Sequence, residues 1–238
     1  VPAGGTADVT VSVDTRFESP DGFFGASLVA TGPAGVVART PIAVEKEVES
    51  YDVTLVHTNR AGQPAAVYQT AVQGLDNPNG GFVWEEDGTV VARVPKGRYF
   101  AFSVILDGDI EDPAARIDFS FLLQPVVVVD RPTTIAMDAR TARPVTAAAP
   151  RADAKQFGGL LFCSVPYSGE GGGSFGFGVG VDSFETLFAG AVGGDIRLDG
   201  MATKVSGTWA KSTVDGTAVD SPYQYNLAWV ERDRAISG

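Results

Sequence analysis

Apolar and polar residues alternate with a period of two along most of this chain, and the alternation stops wherever Gly, Pro, Asn or Asp gather. Over 7–14, Val9, Val11 and Val13 alternate with Asp8, Thr10 and Ser12, which predicts a strand with one apolar and one wet face. Two more strands are expected over 23–31 and 36–44, separated by Gly32, Pro33, Ala34 and Gly35. Strands over 51–58 and 66–73 follow, joined by the turn Asn59, Arg60, Ala61, Gly62. The stretch 87–106, DGTVVARVPKGRYFAFSVIL, holds two apolar runs on either side of Pro95, Lys96 and Gly97, and reads as a β-hairpin around which its neighbours pack. Beyond it, strands are expected over 116–123, 126–129 and 133–138; the run VVVV has no polar alternation and belongs in an interior.

Alternation resumes over 160–166, 175–181, 185–192, 204–210 and 223–230. Phe175, Phe177 and Val179 interleave with Gly176, Gly178 and Gly180, so all bulk lies on one face and another backbone or sheet can approach the bare one. No segment keeps an apolar stripe at helical spacing for three turns, and no run is long and apolar enough to cross a bilayer. The expected fold class is all-β: tandem antiparallel β-sandwich modules of immunoglobulin, fibronectin-III or transthyretin-like type, with almost no helix.

Turn-rich and charged stretches divide the chain. Residues 1–46 read as three strands of an incomplete sandwich module, with an edge and an apolar face for missing N-terminal residues or the next module to cover. The charged EKEVES (45–50) marks a boundary, and 47–140 carries the seven or eight strands of a complete sandwich. Residues 141–156, with Pro144, Pro150 and many small side chains, read as an extended linker. Residues 157–238 read as a third β-rich module that stops at RDRAISG without a clear terminal cap, and the opening VPAGG reads as the start left by a removed pro-region or, in preference, as the interior of a longer protein.

Charge and chemistry narrow the function. A net charge of −11 repels phosphate backbones, and no basic stripe is present, which argues against nucleic acid as partner. The single cysteine, Cys163, permits no internal disulfide and reads as a small apolar residue in the strand GGLLFCSV. His57 is the only histidine, so any Ser/His/Asp or Cys/His arrangement must use it; its place at a strand end reads as a solvated or hydrogen-bonded residue rather than a general base. Neither a GxSxG elbow nor a phosphate-cradling GxxxxGK[ST] occurs, and no catalytic residue or organic cofactor is expected.

Calcium is the candidate ligand. Asp107, Asp109, Glu111 and Asp112 form one oxygen-rich cluster, and Asp76, Asn77 and Asn79 a second; hard cations take such ligands, although neither cluster follows the D-x-[DN]-x-[DN]-G loop and acidic loops are often only solvated. Trp84, Trp209, Trp229, Tyr223 and Tyr225 are candidates for a sugar-stacking platform, against the alternative that they fill cores.

The segments VPAGGTADVTVSVD, DGFFGASLVAT and VVARTPIAVEKE resemble the last strands of the fibronectin-III-like module that follows the catalytic domain in large secreted subtilisin-like serine peptidases of bacteria. ESYDVTLVHTNRAGQPA, DGTVVARVPKGRY and MDARTARPV resemble the next accessory domain of those proteins, a sandwich similar to carboxypeptidase-regulatory or transthyretin-like folds. The resemblance covers roughly 1–150. It implies an extracellular, secreted or cell-surface location and a parent serine endopeptidase whose catalytic domain is the intramolecular partner. A protein substrate or a cell-surface polymer is the further partner implied. The family's histidine lies in a Gly-rich HG context and its serine in a GTS-x-A turn; here Thr58 and Asn59 follow His57 and no GTS occurs, so no catalytic residue carries over.

Overall fold

The computed structural model describes Val1 and residues 4–16, 20–194 and 196–236. The chain is all-β, with fifteen strands and three short 3-10 turns among the described residues, and it divides into two compact units, Val1–Glu49 and Ser50–Gly238.

The first unit is a two-stranded ribbon. β1 (Gly22–Thr31) and β2 (Val37–Lys46) pair antiparallel from Gly22↔Lys46 to Thr31↔Val37, around a turn at Pro33–Gly35 in which Gly35 takes a positive φ. The strand expected over 7–14 does not form. Val11 and Val13 instead line a cleft of about 300 Å³ with Phe24, Ala26, Ile42 and Val44, and Val9, Val11 and Val13 remain about half or more exposed. Alternation gave these valines a common side, but no backbone ladder joins them to the ribbon.

The second unit contains three sheets. A three-stranded sheet runs β6 (Thr89–Pro95), β3 (Ser50–Thr58), β9 (Thr133–Asp138). A six-stranded sheet runs β10 (Arg143–Pro144), β13 (Leu187–Ala191), β8 (Asp118–Val129), β7 (Gly97–Asp107), β4 (Tyr68–Gly74), β5 (Gly80–Val83). A four-stranded sheet runs β12 (Gly173–Val181), β11 (Ala154–Tyr167), β14 (Arg197–Lys211), β15 (Gln224–Arg234).

The six-stranded sheet is the middle layer. Its side chains alternate between two cores, as the pleat requires. Tyr99, Ala101, Ile105, Leu122, Val127 and Val129 join Val53, Leu55, Val90, Ile135 and Met137 of the three-stranded sheet in core 1. Phe100, Phe102, Val104, Phe121 and Leu123 join Leu161, Cys163, Val165, Val205 and Trp209 of the four-stranded sheet in core 2. Double-sided burial is why β7 reads FAFSVIL, apolar at both parities, and why β8 contains VVVV.

Two expectations need correction. Residues 87–106 are not a hairpin: β6 pairs with β3, whereas β7 pairs with β4 and β8, so Pro95–Lys96–Gly97 carries the chain from one sheet to another. Tyr99 fixes this corner by donating its hydroxyl to Pro95 O at 2.7 Å, and its ring lies close over Gly97, where a Cβ would come within 3.4 Å of it. Residues 141–156 are not a linker. Ala142 and Val145 are buried, β10 pairs with β13, and β13 pairs parallel with β8 from Phe119↔Leu187 to Leu123↔Ala191. The small side chains that suggested a linker are what lets this segment lie close against the sheet.

Candidate functional site

Three places bear on function: the lone histidine, the acidic loop and the exposed aromatics. His57 is the penultimate residue of β3, with its side chain turned into the unit, 1% exposed. Its Nδ1 lies 3.0 Å from Gly88 O and its Nε2 3.0 Å from Ser103 Oγ. A carbonyl only accepts, so Nδ1 carries the proton and Nε2 accepts from the Ser103 hydroxyl. Ser103 Oγ is in turn 2.6 Å from Thr70 Oγ1, whose one hydrogen is shared between Ser103 Oγ and Phe102 O, the latter at 2.7 Å. The imidazole stacks on the Tyr68 ring at 3.9 Å, and the Tyr68 hydroxyl donates to Glu85 O at 2.6 Å.

Gly88 anchors the network. Its carbonyl receives both the backbone N–H and the side chain of His57, with the backbone contact at 2.8 Å. Its φ is +80°, and a Cβ there would press within 3.1 Å of Ala65 O, so only glycine fits without strain.

Ser103 Oγ and His57 Nε2 have the separation of a nucleophile and its base. Yet Ser103 and Thr70 are 0% exposed, and the group orienting the imidazole is a main-chain carbonyl in place of a carboxylate. Burial pushes the His57 pKa below its ordinary value of 6.5, which keeps the ring neutral, and no charged side chain contributes to that shift. The arrangement ties β3 to β4 and β7 across core 1 and offers a substrate no approach. The sequence reading of a hydrogen-bonded strand-end residue matches these bonds; the solvated alternative does not.

The four acidic residues read as calcium ligands do not converge. Asp107 Oδ1 accepts from Arg60 N at 3.1 Å and its Oδ2 is buried, whereas Asp109, Glu111 and Asp112 stand exposed. Asp109 accepts from Glu111 N at 3.0 Å and Asp112 from Ala114 N at 2.9 Å, so these carboxylates close turns. The other cluster behaves alike: Asn77 Oδ1 accepts from Asn79 N at 3.0 Å and Asn77 Nδ2 donates to Asp76 Oδ1 at 3.1 Å. No group of three or more His, Cys, Asp or Glu among the described residues is placed to hold a metal ion.

The aromatics divide. Trp209 is buried in core 2, with Phe184 at 5.9 Å and Trp229 edge-on at 6.0 Å; it also borders a cleft of about 720 Å³ with Val145, Lys155, Gln156 and Glu185. Trp229, on β15, is 42% exposed, and Trp84, in the loop after β5, is 57% exposed. Tyr225 packs against core 2, and Tyr223 lies 5.6 Å from it under the Arg151 guanidinium. Arg151 also holds the Asp153 carboxyl at a pKa of about 2. Cys163 is buried and its thiol is pushed up to about 12 by desolvation, which leaves no thiolate for chemistry. Among the described residues no helix is long and apolar enough to cross a membrane. Comparison of the chain with protein-family models, with curated proteins and with solved structures finds no match.

Proposed function

We propose that this chain is a non-catalytic β region of a secreted, bacterial subtilisin-like serine peptidase, one that stabilises or orients the catalytic domain or guides protein substrate to it. The reading combines the sequence resemblance with one observation: the only histidine of the chain is consumed in a sealed network between two sheets, so no histidine is left at the surface to serve as the base of a Ser/His/Asp arrangement. The fold alone hosts many functions and carries no weight beyond that. The test is removal of residues 50–238 from the parent peptidase. Hydrolysis of a short fluorogenic peptide is expected to persist, while thermal half-life or cleavage of a folded protein substrate falls. Unchanged secretion, half-life and protein cleavage would reject the proposal, as would peptide turnover by the isolated chain that disappears in His57→Ala.

A second reading, an extracellular module that binds carbohydrate or a cell-surface polymer, draws on the exposure of Trp84 and Trp229, since exposed indoles stack on sugar rings. Retention on insoluble polysaccharide that is lost in Trp84→Ala or Trp229→Ala would promote it over the first.

A further inference from the structure

We propose that β12 is a dimerisation edge, pairing antiparallel with β12 of a second copy of this chain. β12 is nine residues long, and all nine pair with β11 on one side. On the other side no strand joins it among the described residues, because it ends its sheet. An open strand edge exposes a row of unpaired N–H and C=O groups and invites another strand unless something blunts it.

The other outer strands of the second unit are blunted. β15 ends in Glu231, Arg232, Asp233 and Arg234, with Asp233 at φ +62°. β6 carries Arg93, paired with Asp52, and ends at Pro95. β9 ends at Asp138, paired with Arg140. β10 is two residues including Pro144, and β5 is four residues. β12 has no charge, no proline and no register shift along its length.

The strand is also complementary to itself. Centred on Phe177, an antiparallel pair sets Phe175 opposite the copy's Val179, Gly176 opposite Gly178, Ser174 opposite Gly180 and Gly173 opposite Val181. Between Ser174 and Gly180, bulky side chains then share the inner face with bulky ones and small residues share the outer face; only the terminal pair sets a glycine, Gly173, opposite a bulky residue. A chain of net charge −11 repels its copies in general, but this edge brings no charges together. The inner face already leads toward exposed apolar surface: Phe177 stacks on Phe102 at 4.0 Å, and Phe102 meets the edge of Phe82, which is 67% exposed on β5.

The glycines have a structural reason of their own, since a Cβ at Gly178 would fall 2.3 Å from Leu161 O, so the test leaves Gly178 alone. Ser174 is exposed, and a Cβ at Gly180 meets only Gly159 O, at 3.9 Å. Sedimentation velocity of the wild-type chain from micromolar to millimolar concentration is expected to show a reversible doubling of mass. The double variant Ser174→Lys, Gly180→Lys sets like charges directly opposite across the pair and is expected to weaken dimerisation at least tenfold with the melting temperature of the monomer preserved. The double variant Ser174→Lys, Gly180→Glu sets opposite charges across the same positions and is expected to restore it. A wild-type chain that stays monomeric throughout overturns the proposal. So does a dimer indifferent to the two lysines, or one that the Lys/Glu pair fails to restore.

Discussion

The two cores that share the central sheet are made of different material. Core 1 is mainly aliphatic and is joined by a buried polar network of His57, Ser103 and Thr70. Core 2 is built on rings, with Phe100, Phe102 and Phe121 of the central sheet facing Phe177, at 5.4, 4.0 and 5.9 Å between centroids. β7 supplies both, sending Ser103 to the network and Phe102 to the rings. Hydrogen bonds depend on single atoms at fixed distances, whereas stacked rings hold through buried area and tolerate small shifts. Core 1 therefore fixes how its two sheets register, and core 2 supplies bulk beside an open strand edge.

The largest expected effect lies in core 2. Phe102→Ala removes a ring that touches four others and should cost about 3–5 kcal/mol of unfolding free energy, read from urea denaturation. A loss under about 1 kcal/mol would mean the ring stack carries little of the stability. In core 1, Ser103→Ala leaves His57 Nε2 buried without its donor and should cost about 1–3 kcal/mol. A double-mutant cycle with Thr70→Ala should then show coupling, because the two hydroxyls share one contact.

A smaller effect depends on pH. Above pH 6.5 His57 is neutral in both the folded and the unfolded chain. As pH falls below 6.5, the unfolded chain takes up a proton that the buried ring refuses, so stability declines until the lowered folded pKa is reached, by at most about 1.4 kcal/mol per pH unit. His57→Gln should remove this contribution from the stability–pH profile, and a profile identical to wild type would show that His57 is not its source. The smallest effect is expected at the acidic loop: calcium or a chelator should leave the melting temperature unchanged, since the Asp109 and Asp112 carboxylates are engaged by their own turns. A rise of several degrees with calcium would restore the cation reading.

Strands were legible because the period of two is written locally. Every stretch read as a strand from residue 51 onward overlaps one, although 116–123 and 126–129, read as two, are the single strand β8 running through Gln124 and Pro125, and β5 and the short β10 were not read. Sheet membership was not legible, since pairing is decided by residues far along the chain. Pro-Lys-Gly between two alternating runs looks the same whether the runs pair or part; the signal that they part is in β7, whose apolar residues at both parities need two covered faces. The segment 141–156 misled for the same reason, its partner β13 lying some forty residues on. At His57 the sequence left a solvated and a hydrogen-bonded residue open and gave no sign of the depth of burial, which depends on Tyr68, Gly88 and Ser103 arriving from three other segments. The carboxylates of 107–112 could not be assigned from composition, because a turn-closing aspartate and a calcium ligand are the same residue until their neighbours are placed.

The parallel pairing of β8 with β13 also sets an order of events during synthesis. β8 is complete at Val129, but its outer neighbour is made of residues 187–191, which leave the ribosome much later. Until then a strand rich in Phe, Leu and Val waits with one edge unpaired, the kind of long-range closure that folds slowly and is exposed to aggregation. A chain ended anywhere in 141–156 would make that wait permanent. The boundary that looks safest for dividing this protein is the one place where cutting it would strand its central sheet.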